Sequence, residues 1–318
     1  MRGTLAIRQA VRPWVQSADA RILIGVSGGA DSMALALATY IECKSADIEL
    51  GAIIVDHQLQ AGSDLVAQSC KDKLIEIGFV SIEIIAVNVE LQDGVEASAR
   101  RARYLAFEEA TVRLKPDYFF LAHTKNDQAE SVLLGLARGS GTRSLSGIAT
   151  QNGRYIRPIL EIDRATTELV CIENGITPWI DPHNSDLHFA RVRARKTVLP
   201  ILESNLGPGI VAALARSARI LREDADALDF LAENFLSTRD PLDLPVDELS
   251  QLPKAIRIRV LREAICAAGA LEGSLSADHL APVEALITDW HGQGEISLPY
   301  GVKVLRISGR LSLSQQIS

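Results

Sequence analysis

Apolar and polar residues alternate in blocks along the first 122 residues of the chain. Four short runs rich in Ile, Val, Leu and Phe lie at residues 21–26, 48–55, 82–87 and 118–122. Longer segments of helical pattern separate them, and one of these has an apolar stripe at Ala102, Leu105 and Ala106. Strands that alternate with helices favour a parallel sheet. We therefore predict an α/β domain with a Rossmann-like parallel sheet and helices on both faces.

Polar residues cluster at the carboxyl ends of three of the four predicted strands. The sequence SGGADS at 27–32 follows the first strand, Asp56 and His57 close the second, and residues 123–127 close the fourth. One such cluster is ordinary loop polarity. In open parallel sheets, however, ligands bind in the crevice outside the carboxyl ends of the strands. The coincidence of three clusters therefore predicts a single binding site at this edge of the sheet.

The SGGADS loop has the chemistry of a phosphate site. Gly28 and Gly29 allow positive φ and bring backbone amides close to an anion, and the start of the following helix favours the same anion. The loop contains no lysine and matches neither GxxxxGK[ST] nor GxGxxG. The hydroxyls of Ser27 and Ser32 would then carry phosphate while Asp31 holds a metal ion. The alternative is a simple turn capped by Ser and Asp.

The charge of the chain excludes a protein that coats nucleic acid without specificity. The formal net charge is -7, whereas such proteins are usually basic. Residues 186–222 are locally basic, with seven arginines and lysines against two acids. This segment is either a nucleic-acid contact or a solvated helix surface.

No membrane span or disulfide framework is indicated. The longest apolar runs fall short of the roughly 20 residues that a membrane helix needs, and the four cysteines form no CxxC pair. Residues 1–18 carry three arginines and no acid, as in some organelle transit peptides, but we predict an ordinary first helix. We therefore expect a soluble, cytoplasmic protein without a membrane partner.

SGGADS resembles the SGGxDS signature of the PP-loop ATP pyrophosphatases. From about residue 20 to the C-terminus, the chain is more specifically similar to the tRNA(Ile)-lysidine synthetase family. Six stretches carry this resemblance: VDHQL at 55–59, ARRARY at 99–104, AHTKNDQAES at 122–131, LARGSG at 136–141, RPIL at 157–160 and WIDPHNSDLHFARVRARKTVLP at 179–200.

The resemblance implies an ATP-dependent ligase that requires Mg²⁺. Its partners would be free L-lysine and the isoleucine tRNA with a CAU anticodon. The first anticodon cytidine would be adenylated at its C2 oxygen, and the lysine ε-amine would displace AMP to give lysidine. The codon read would change from AUG to AUA. The oligomeric state stays open, with a homodimer as one alternative.

The resemblance also assigns roles to residues. Asp31 would bind the metal ion and would also be a catalytic residue. The other catalytic candidates are Arg103, His123, Asp127 and Glu130. The candidates for ATP are Ser27, Gly28, Gly29, Ala30, Asp31, Ser32, Asp56 and His57. The candidates for tRNA and substrate are Arg100, Arg157, Asp181, Asn184, Arg191, Arg193 and Arg195.

Several roles have alternatives at this point. Asp127 and Glu130 stand at the start of a predicted helix, where acids offset the helix dipole, and Asn126 is a candidate for the N-cap. The base that takes the lysine proton is open among Asp127, Glu130 and His123. Arg100 and Arg103 are explained equally well as part of a solvated helix surface that bears three arginines.

The chain departs from the family pattern at several positions. Gln60 stands where an arginine is usual and His183 where a serine is usual. Asn126 replaces an aspartate, so affinity should fall if that position binds Mg²⁺ or lysine. Thr124, Ser131 and Val192 are further departures.

We predict two domains that meet at the breaker cluster of residues 205–209. Residues 1–206 would form the catalytic PP-loop domain. Residues 207–318 would form a mainly helical tRNA-binding domain that ends in a β hairpin. The length leaves no room for an ammonia-generating domain, and a thiolase would require cysteine pairs. A catalytically silent nucleotide-binding or RNA-binding relative is the remaining alternative.

Overall fold

A parallel sheet lies at the centre of the first of two units in the computed structural model, which describes residues 2–89, 94–139 and 141–315. Its strand order is β3-β2-β1-β4-β6-β5, and all strands but β5 run parallel to their neighbours. The predicted Rossmann-like sheet is therefore confirmed. The strands are β1 (Arg21–Gly25), β2 (Glu49–Asp56), β3 (Ser81–Ala86), β4 (Tyr118–Phe120), β5 (Gln151–Asn152) and β6 (Tyr155–Ile156).

Helices connect the strands and cover the sheet. The central strand β1 is buried on both faces, with Ile22, Leu23 and Ile24 at most 1% exposed, as expected for a covered parallel sheet. The helices are α1 (Arg2–Gln16), α2 (Ala30–Ala46), α3 (Ser63–Ile77), α4 (Val95–Leu114), α5 (Lys125–Ala137), α6 (Thr142–Leu145), α7 (Arg164–Glu173), α8 (Ala190–Arg193), α9 (Leu199–Leu206) and α10 (Ile210–Leu236). A 3₁₀ turn at Pro182–Ser185 precedes α8, and a π-helical turn at Ala194–Val198 joins α8 to α9.

The first helix is an integral part of this unit, as predicted. Residues Ile7, Val11 and Val15 recur at helical spacing and are buried in the core. On another face, Arg8 and Arg12 bind the buried carboxylate of Glu42 at 2.6 and 2.9 Å. Because both its apolar and its basic residues have partners, α1 is held firmly against α2.

The predicted apolar stripe of α4 is wrong in one residue. Leu105 is 61% exposed, whereas Ala99, Ala106, Phe107 and Ala110 are buried. The buried face follows the helical repeat through 99, 106 and 110, and Leu105 lies about 100° away from Ala106 around the helix axis. The side chain that packs beneath the sheet is Phe107, which contacts Phe119 with ring centroids 4.6 Å apart.

The second unit begins at Glu223, inside α10. It contains helices α11 (Val246–Gln251), α12 (Lys254–Ala267) and α13 (Ala277–Thr288). Its antiparallel sheet has the order β7-β10-β9-β8 and is built from β7 (Asp243–Pro245), β8 (Ile296–Ser297), β9 (Val302–Ile307) and β10 (Arg310–Gln315). The mainly helical unit with a small β element is as expected, and the predicted domain boundary at residues 206 and 207 stays a prediction.

Within the described residues, no single helix is both long and apolar enough to cross a membrane. The bent pair Ala190–Leu206 and Ile210–Leu236, with 101° between its halves, satisfies the length and composition requirement only when both are taken together.

Candidate active site

The three polar clusters predicted from the sequence lie at one edge of the sheet. Strands β2, β1 and β4 are neighbours, so the residues after their carboxyl ends surround one cavity of about 370 Å³. Ser27 and Ser32 line it from the first strand, Asp56 and His57 from the second, and His123 from the fourth. The position agrees with the general placement of ligand sites in parallel sheets.

The SGGADS loop is shaped by one glycine rather than two. Gly28 has φ of 79°, a conformation that residues with a side chain rarely adopt, and its carbonyl accepts a hydrogen bond from the Trp179 amide at 2.9 Å. Gly29 has φ of -72°, so the expectation of positive φ is wrong at this position. The Ser32 hydroxyl closes the loop by donating to the Gly29 carbonyl at 2.9 Å and accepting from the Ser27 amide at 3.2 Å.

The loop leads directly into α2, whose first amides have no partner within the helix and carry the positive end of its dipole. Of the residues assigned to ATP, the cavity wall includes Ser27, Ser32, Asp56 and His57. Gly28 and Gly29 lie in the loop and Ala30 is the first residue of α2, and none of the three is among the residues that line this cavity. Asp31 turns away from the cavity, toward helix α7.

Asp31 belongs to a group of six charged side chains, which we call the acid-arginine cluster. The cluster consists of Asp31, Asp127, Glu130, Arg164, Arg191 and Arg195. Arg164 is its centre, with Nε 3.2 Å from Asp31, one terminal nitrogen 2.9 Å from Asp127 and the other 3.4 Å from Glu130. Three carboxylates thus face three guanidiniums.

Glu130 is fully buried within this cluster. Arg195 binds it with two hydrogen bonds, Nε to Oε1 at 2.6 Å and Nη2 to Oε2 at 3.1 Å. Arg191 approaches it at 3.6 Å and donates to the Ser131 hydroxyl at 3.0 Å. A buried carboxylate needs this degree of pairing to stay ionised.

Burial and the charge of Arg164 act in opposite directions on the pKa values of the two aspartates. Burial raises the pKa of Asp31, and Arg164 and a short hydrogen bond from Thr167 oppose it only in part. Burial also works against the ionised form of Asp127, but Arg164 and the hydrogen bonds from Thr124 outweigh it and lower the pKa. The three carboxylates likewise raise the pKa of Arg164 despite its burial.

Two of the histidines that line the cavity, His57 and His123, are neutral near pH 7. Burial and the charge of Arg103 lower the pKa of His57 to about 4. Burial also lowers the pKa of His123, and Asp127 opposes this only weakly. Arg103 Nε donates to His57 Nε2 at 3.4 Å, whereas Nδ1 of each ring is buried without a hydrogen-bond partner in the described part of the chain.

Helix α5 starts two residues earlier than Asn126 would require as its N-cap, so that prediction is wrong. Thr124 is the N-cap, and it forms a capping box with Asp127. The Asn126 Oδ1 atom instead accepts a hydrogen bond from the Arg164 amide at 2.9 Å. Asn126 therefore fixes the start of α7 and, through it, the position of the Arg164 guanidinium.

Comparisons with known proteins agree with this architecture. The PP-loop domain family matches residues 4–202, and the TilS substrate binding domain family matches residues 244–312. The tRNA(Ile)-lysidine synthase of Leifsonia xyli is 47% identical over 95% of this chain and 92% of its own length. The tRNA(Ile)-lysidine synthase of Thermobifida fusca is 43% identical over 97% of this chain and 95% of its own. The chain belongs to the tRNA(Ile)-lysidine synthase family.

A more distant likeness concerns the fold alone. The U34-tRNA thiolase NcsA from Methanococcus maripaludis, solved with its [4Fe-4S] cluster, is 17% identical and superimposes with a TM-score of 0.59. The match covers 70% of this chain and 79% of the thiolase.

The residues of this lysidine synthase family member that were assigned to tRNA fall into different environments. Arg191 and Arg195 lie in the acid-arginine cluster. Arg193 is exposed and donates to the carbonyls of Leu187 and His188 at 2.8 and 2.7 Å. Arg100 lies over the Tyr104 ring, with its guanidinium carbon 4.9 Å from the centroid.

The remaining assigned residues lie in or near the cavity wall. Arg157 is 5% exposed and donates to the Ala149 carbonyl at 2.9 Å, so it supports the backbone of a neighbouring loop. Asp181 lines the cavity and caps the 3₁₀ turn that contains the exposed Asn184. The geometry brings together Asp31, Asp127, Glu130, Arg191 and Arg195, and it leaves Arg157, Arg193 and Asn184 outside this group.

Arg164 and Thr167 were not among the predicted site residues, although they hold Asp31. One signal in the sequence pointed to Arg164: it is the first residue of a helix, where a cation is unfavourable against the helix dipole. A charge placed against the dipole indicates a partner elsewhere in the fold. The sequence does not show which carboxylate that partner is.

Proposed function

We propose that this chain is an ATP-dependent ligase that converts the first anticodon cytidine of the CAU isoleucine tRNA to lysidine. The observation that carries this proposal is the adjacency of a phosphate loop and a buried acid-arginine cluster at one sheet edge, in a chain of the lysidine synthase family. The C2 carbonyl oxygen of cytidine attacks the α-phosphorus of ATP, and pyrophosphate leaves. The lysine ε-amine then attacks C2, and AMP leaves.

We place ATP in the cavity that the SGGADS loop bounds. The amides at the start of α2 and the hydroxyls of Ser27 and Ser32 would bind phosphate, and His57 would donate from Nδ1 to an acceptor on the nucleotide. This hydrogen bond would satisfy the buried nitrogen that now has no partner in the described part of the chain.

The residues present also fit Mg²⁺, which we propose as the metal. Within the described residues, no group of three or more His, Cys, Asp or Glu side chains is arranged to hold a metal ion. A magnesium ion that arrives with ATP needs only one or two carboxylates besides phosphate and water, and Asp31 supplies one. The ion would offset charge on the leaving pyrophosphate. Asp31 would release Arg164 or Thr167 to bind it.

The acid-arginine cluster is the proposed site of lysine. Asp127 and Glu130 offer carboxylates to the substrate, while the guanidiniums of Arg164, Arg191 and Arg195 balance their charge. The carboxylates favour the protonated form of a bound lysine amine, and the three guanidiniums oppose them by lowering its pKa. The neutral amine is the form that attacks carbon, so the arginines favour the reactive species.

His123, which follows strand β4, has a role other than that of the lysine-binding carboxylates in the proposed mechanism. Because burial keeps His123 neutral, we assign it a hydrogen bond to the target cytidine rather than storage of the lysine proton. Its Nδ1 atom, which has no hydrogen-bond partner among the described residues, is the group available for that bond. The tRNA backbone would contact Arg193 and Asn184, which are exposed on the neighbouring segment.

The cysteines of the chain argue against sulfur transfer at this site. Burial raises the pKa of the Cys43 thiol to about 12 and those of Cys70 and Cys171 to about 11. The thiolate is the form that attacks and binds metals, and it is disfavoured at all three positions.

The test supplies purified protein with Mg²⁺, ATP labelled on the α-phosphate and an unmodified isoleucine tRNA transcript, with and without lysine. Digested tRNA is examined by mass spectrometry. We expect lysidine only when lysine is present, with labelled AMP released in equal amount. Lysidine should be absent when the anticodon is changed from CAU to GAU. AMP formation without a lysine adduct would contradict the proposal.

A matched pair of variants tests the lysine site. Asp127→Asn removes a cluster carboxylate, and we expect at least a tenfold loss in the lysine-dependent release of AMP. Asp186→Asn makes the same change at an exposed residue whose carboxylate is hydrogen-bonded only to His188 among the contacts described, and activity should stay within twofold. Equal effects would count against lysine binding in the cluster.

Two further parts of the proposal concern assembly and location. We propose a cytoplasmic enzyme, since its tRNA substrate is made and used there. A homodimer stays a prediction, which light scattering of the purified protein over a range of concentrations tests.

A further inference from the structure

Two loops meet across the nucleotide cavity through a pair of side chains. Gln60 lies in the loop after β2, and His183 lies in the 3₁₀ turn at Pro182–Ser185. The Gln60 Nε2 atom is 2.6 Å from His183 Nδ1 and 3.4 Å from the Asp181 carboxylate. All three residues line the cavity. The contact joins segments that are more than 120 residues apart in the sequence.

Each loop is held in shape independently of this contact. On one side, the Asp56 carboxylate accepts from the Gln58 amide at 3.0 Å and stabilises the positive φ of 54° at Gln58. On the other side, the Asp181 carboxylate accepts from the His183 amide at 2.9 Å, and the Trp179 amide binds the Gly28 carbonyl. The Gln60 to His183 contact therefore joins two loops that are already ordered.

The pair joins two positions at which the resemblance implies other residues. The resemblance implies an arginine at 60 and a serine at 183, and the structure places Gln60 and His183 in direct contact. An arginine at 60 would face Asp181 as a cation. A neutral glutamine forms a weaker bond to that carboxylate, and the acceptor on His183 supplies a second bond in its place.

We propose that Gln60 and His183 are positioning residues that act through Asp181 and the 179–183 segment to set the affinity of the cavity for ATP. The inference rests on the proposed function, because it takes ATP as the occupant of the cavity. In this arrangement the Gln60 side chain forms a hydrogen bond with His183 Nδ1.

A double-mutant cycle tests the pair. The affinity of each protein for α,β-methylene ATP with Mg²⁺ is measured by calorimetry for Gln60→Ala, His183→Ala and the double variant. One hydrogen bond of this kind changes an affinity by about fivefold. We expect each single variant to lose about fivefold and the double variant to lose no more, because either change breaks the same contact.

Two additional variants separate positioning from general structure. His183→Asn keeps an acceptor near the place of Nδ1, so we expect it to retain most of the affinity. His188→Ala removes a histidine whose side chain is 95% exposed, and its affinity should match the unmutated protein. Melting temperatures within about 2 °C of the unmutated protein would show that the folds are intact, since that span corresponds to about 1 kcal/mol or less.

The outcomes distinguish this inference from the proposed function. If the unmutated protein binds the analogue and the two alanine variants lose affinity additively, to about 25-fold in the double variant, the pair does not act as a unit. Unchanged affinity in the single variants would overturn the inference as well, while ATP binding and lysidine formation would still stand. A protein that binds no analogue at all would overturn both.

Discussion

Removing the Arg164 guanidinium should destabilise the first unit in a way that depends on pH. The change is Arg164→Met, which keeps most of the side-chain volume and removes the charge. Asp31 and Asp127 then lose the cation that lies closest to both of them, at 3.2 and 2.9 Å. Glu130 keeps Arg195 at 2.6 Å and is much less affected.

The size of the effect follows from burial. The side chains of Arg164, Asp31 and Asp127 are 18%, 22% and 12% exposed, so solvent screens the unpaired charges only in part. Breaking a buried ion pair by removing one partner costs about 3 to 5 kcal/mol. Asp127 retains its bonds from Thr124, so we expect about 3 kcal/mol, the lower end of that range. This corresponds to a fall in melting temperature of roughly 6 to 12 °C.

The assay follows tryptophan fluorescence on heating and in urea. Trp290 lies in the second unit, so a Trp290→Phe background leaves Trp14 and Trp179 to report on the first. The matched control is Arg113→Met, which breaks a surface pair with Glu83 in which both side chains are more than one-third exposed. Surface pairs contribute about 1 kcal/mol or less, so the control should melt close to the unmutated protein.

The pH dependence gives the result that would refute this reasoning. Without Arg164 the folded-state pKa values of Asp31 and Asp127 rise, while their unfolded values stay the same. A carboxyl with a raised folded pKa binds more protons in the folded state, so stability increases as pH falls toward 4. The cost of the variant should therefore be largest near pH 7 and shrink in acid. A cost below about 1 kcal/mol, or one that is constant from pH 5 to 8, would show that the cluster is not electrostatically coupled.

Three further predictions concern single residues. Gly28→Ala should abolish most ATP binding because φ is 79°, whereas Gly29→Ala, with φ of -72°, should bind nearly normally; calorimetry compares them. The His57 ring should titrate near pH 4 when followed by NMR. Because its pKa is lower in the folded than in the unfolded state, its contribution to stability is present above about pH 6.5 and is lost in acid. A titration midpoint near 6.5 would contradict the geometry. The Asn126→Asp variant keeps the acceptor for the Arg164 amide and should melt at the same temperature as the unmutated protein. The Asn126→Ala variant lacks that acceptor, and its free energy of unfolding should fall by about 1 kcal/mol. Equal melting temperatures of the two variants would rule out this hydrogen bond.

The sequence was sufficient for the parts of the fold that depend on local pattern. Apolar runs gave the four parallel strands, and the polar clusters at their ends gave the edge that forms the cavity. Both follow from chain periodicity and from the handedness of parallel connections. The exposed Leu105 shows the limit of this approach. An apolar residue next in sequence to the buried face cannot be distinguished by its pattern from a residue that is buried.

The acid-arginine cluster could not be predicted in this way. Its members come from α2, α5, α7, α8 and the π-helical turn, and only tertiary packing brings them together. Arg164 lies 133 residues from Asp31 along the chain. A sequence motif consists of residues from one segment of the chain. The residues of this cluster come from several segments, so no motif contains them.

Arg191, Arg193 and Arg195 show how tertiary packing changes the function that is expected from a sequence motif. As a sequence they form one basic patch, and the patch predicts contact with tRNA phosphates. In the fold, Arg191 and Arg195 lie four residues apart on one side, where they bind Glu130, and Arg193 lies on the opposite side toward Leu187 and His188. The π-helical turn that contains Arg195 helps to place it on the buried side, as such turns often do at functional sites.

Two of the seven cations counted in this segment are therefore neutralised within the protein. The proposed lysine site takes its charge balance from these two, Arg191 and Arg195.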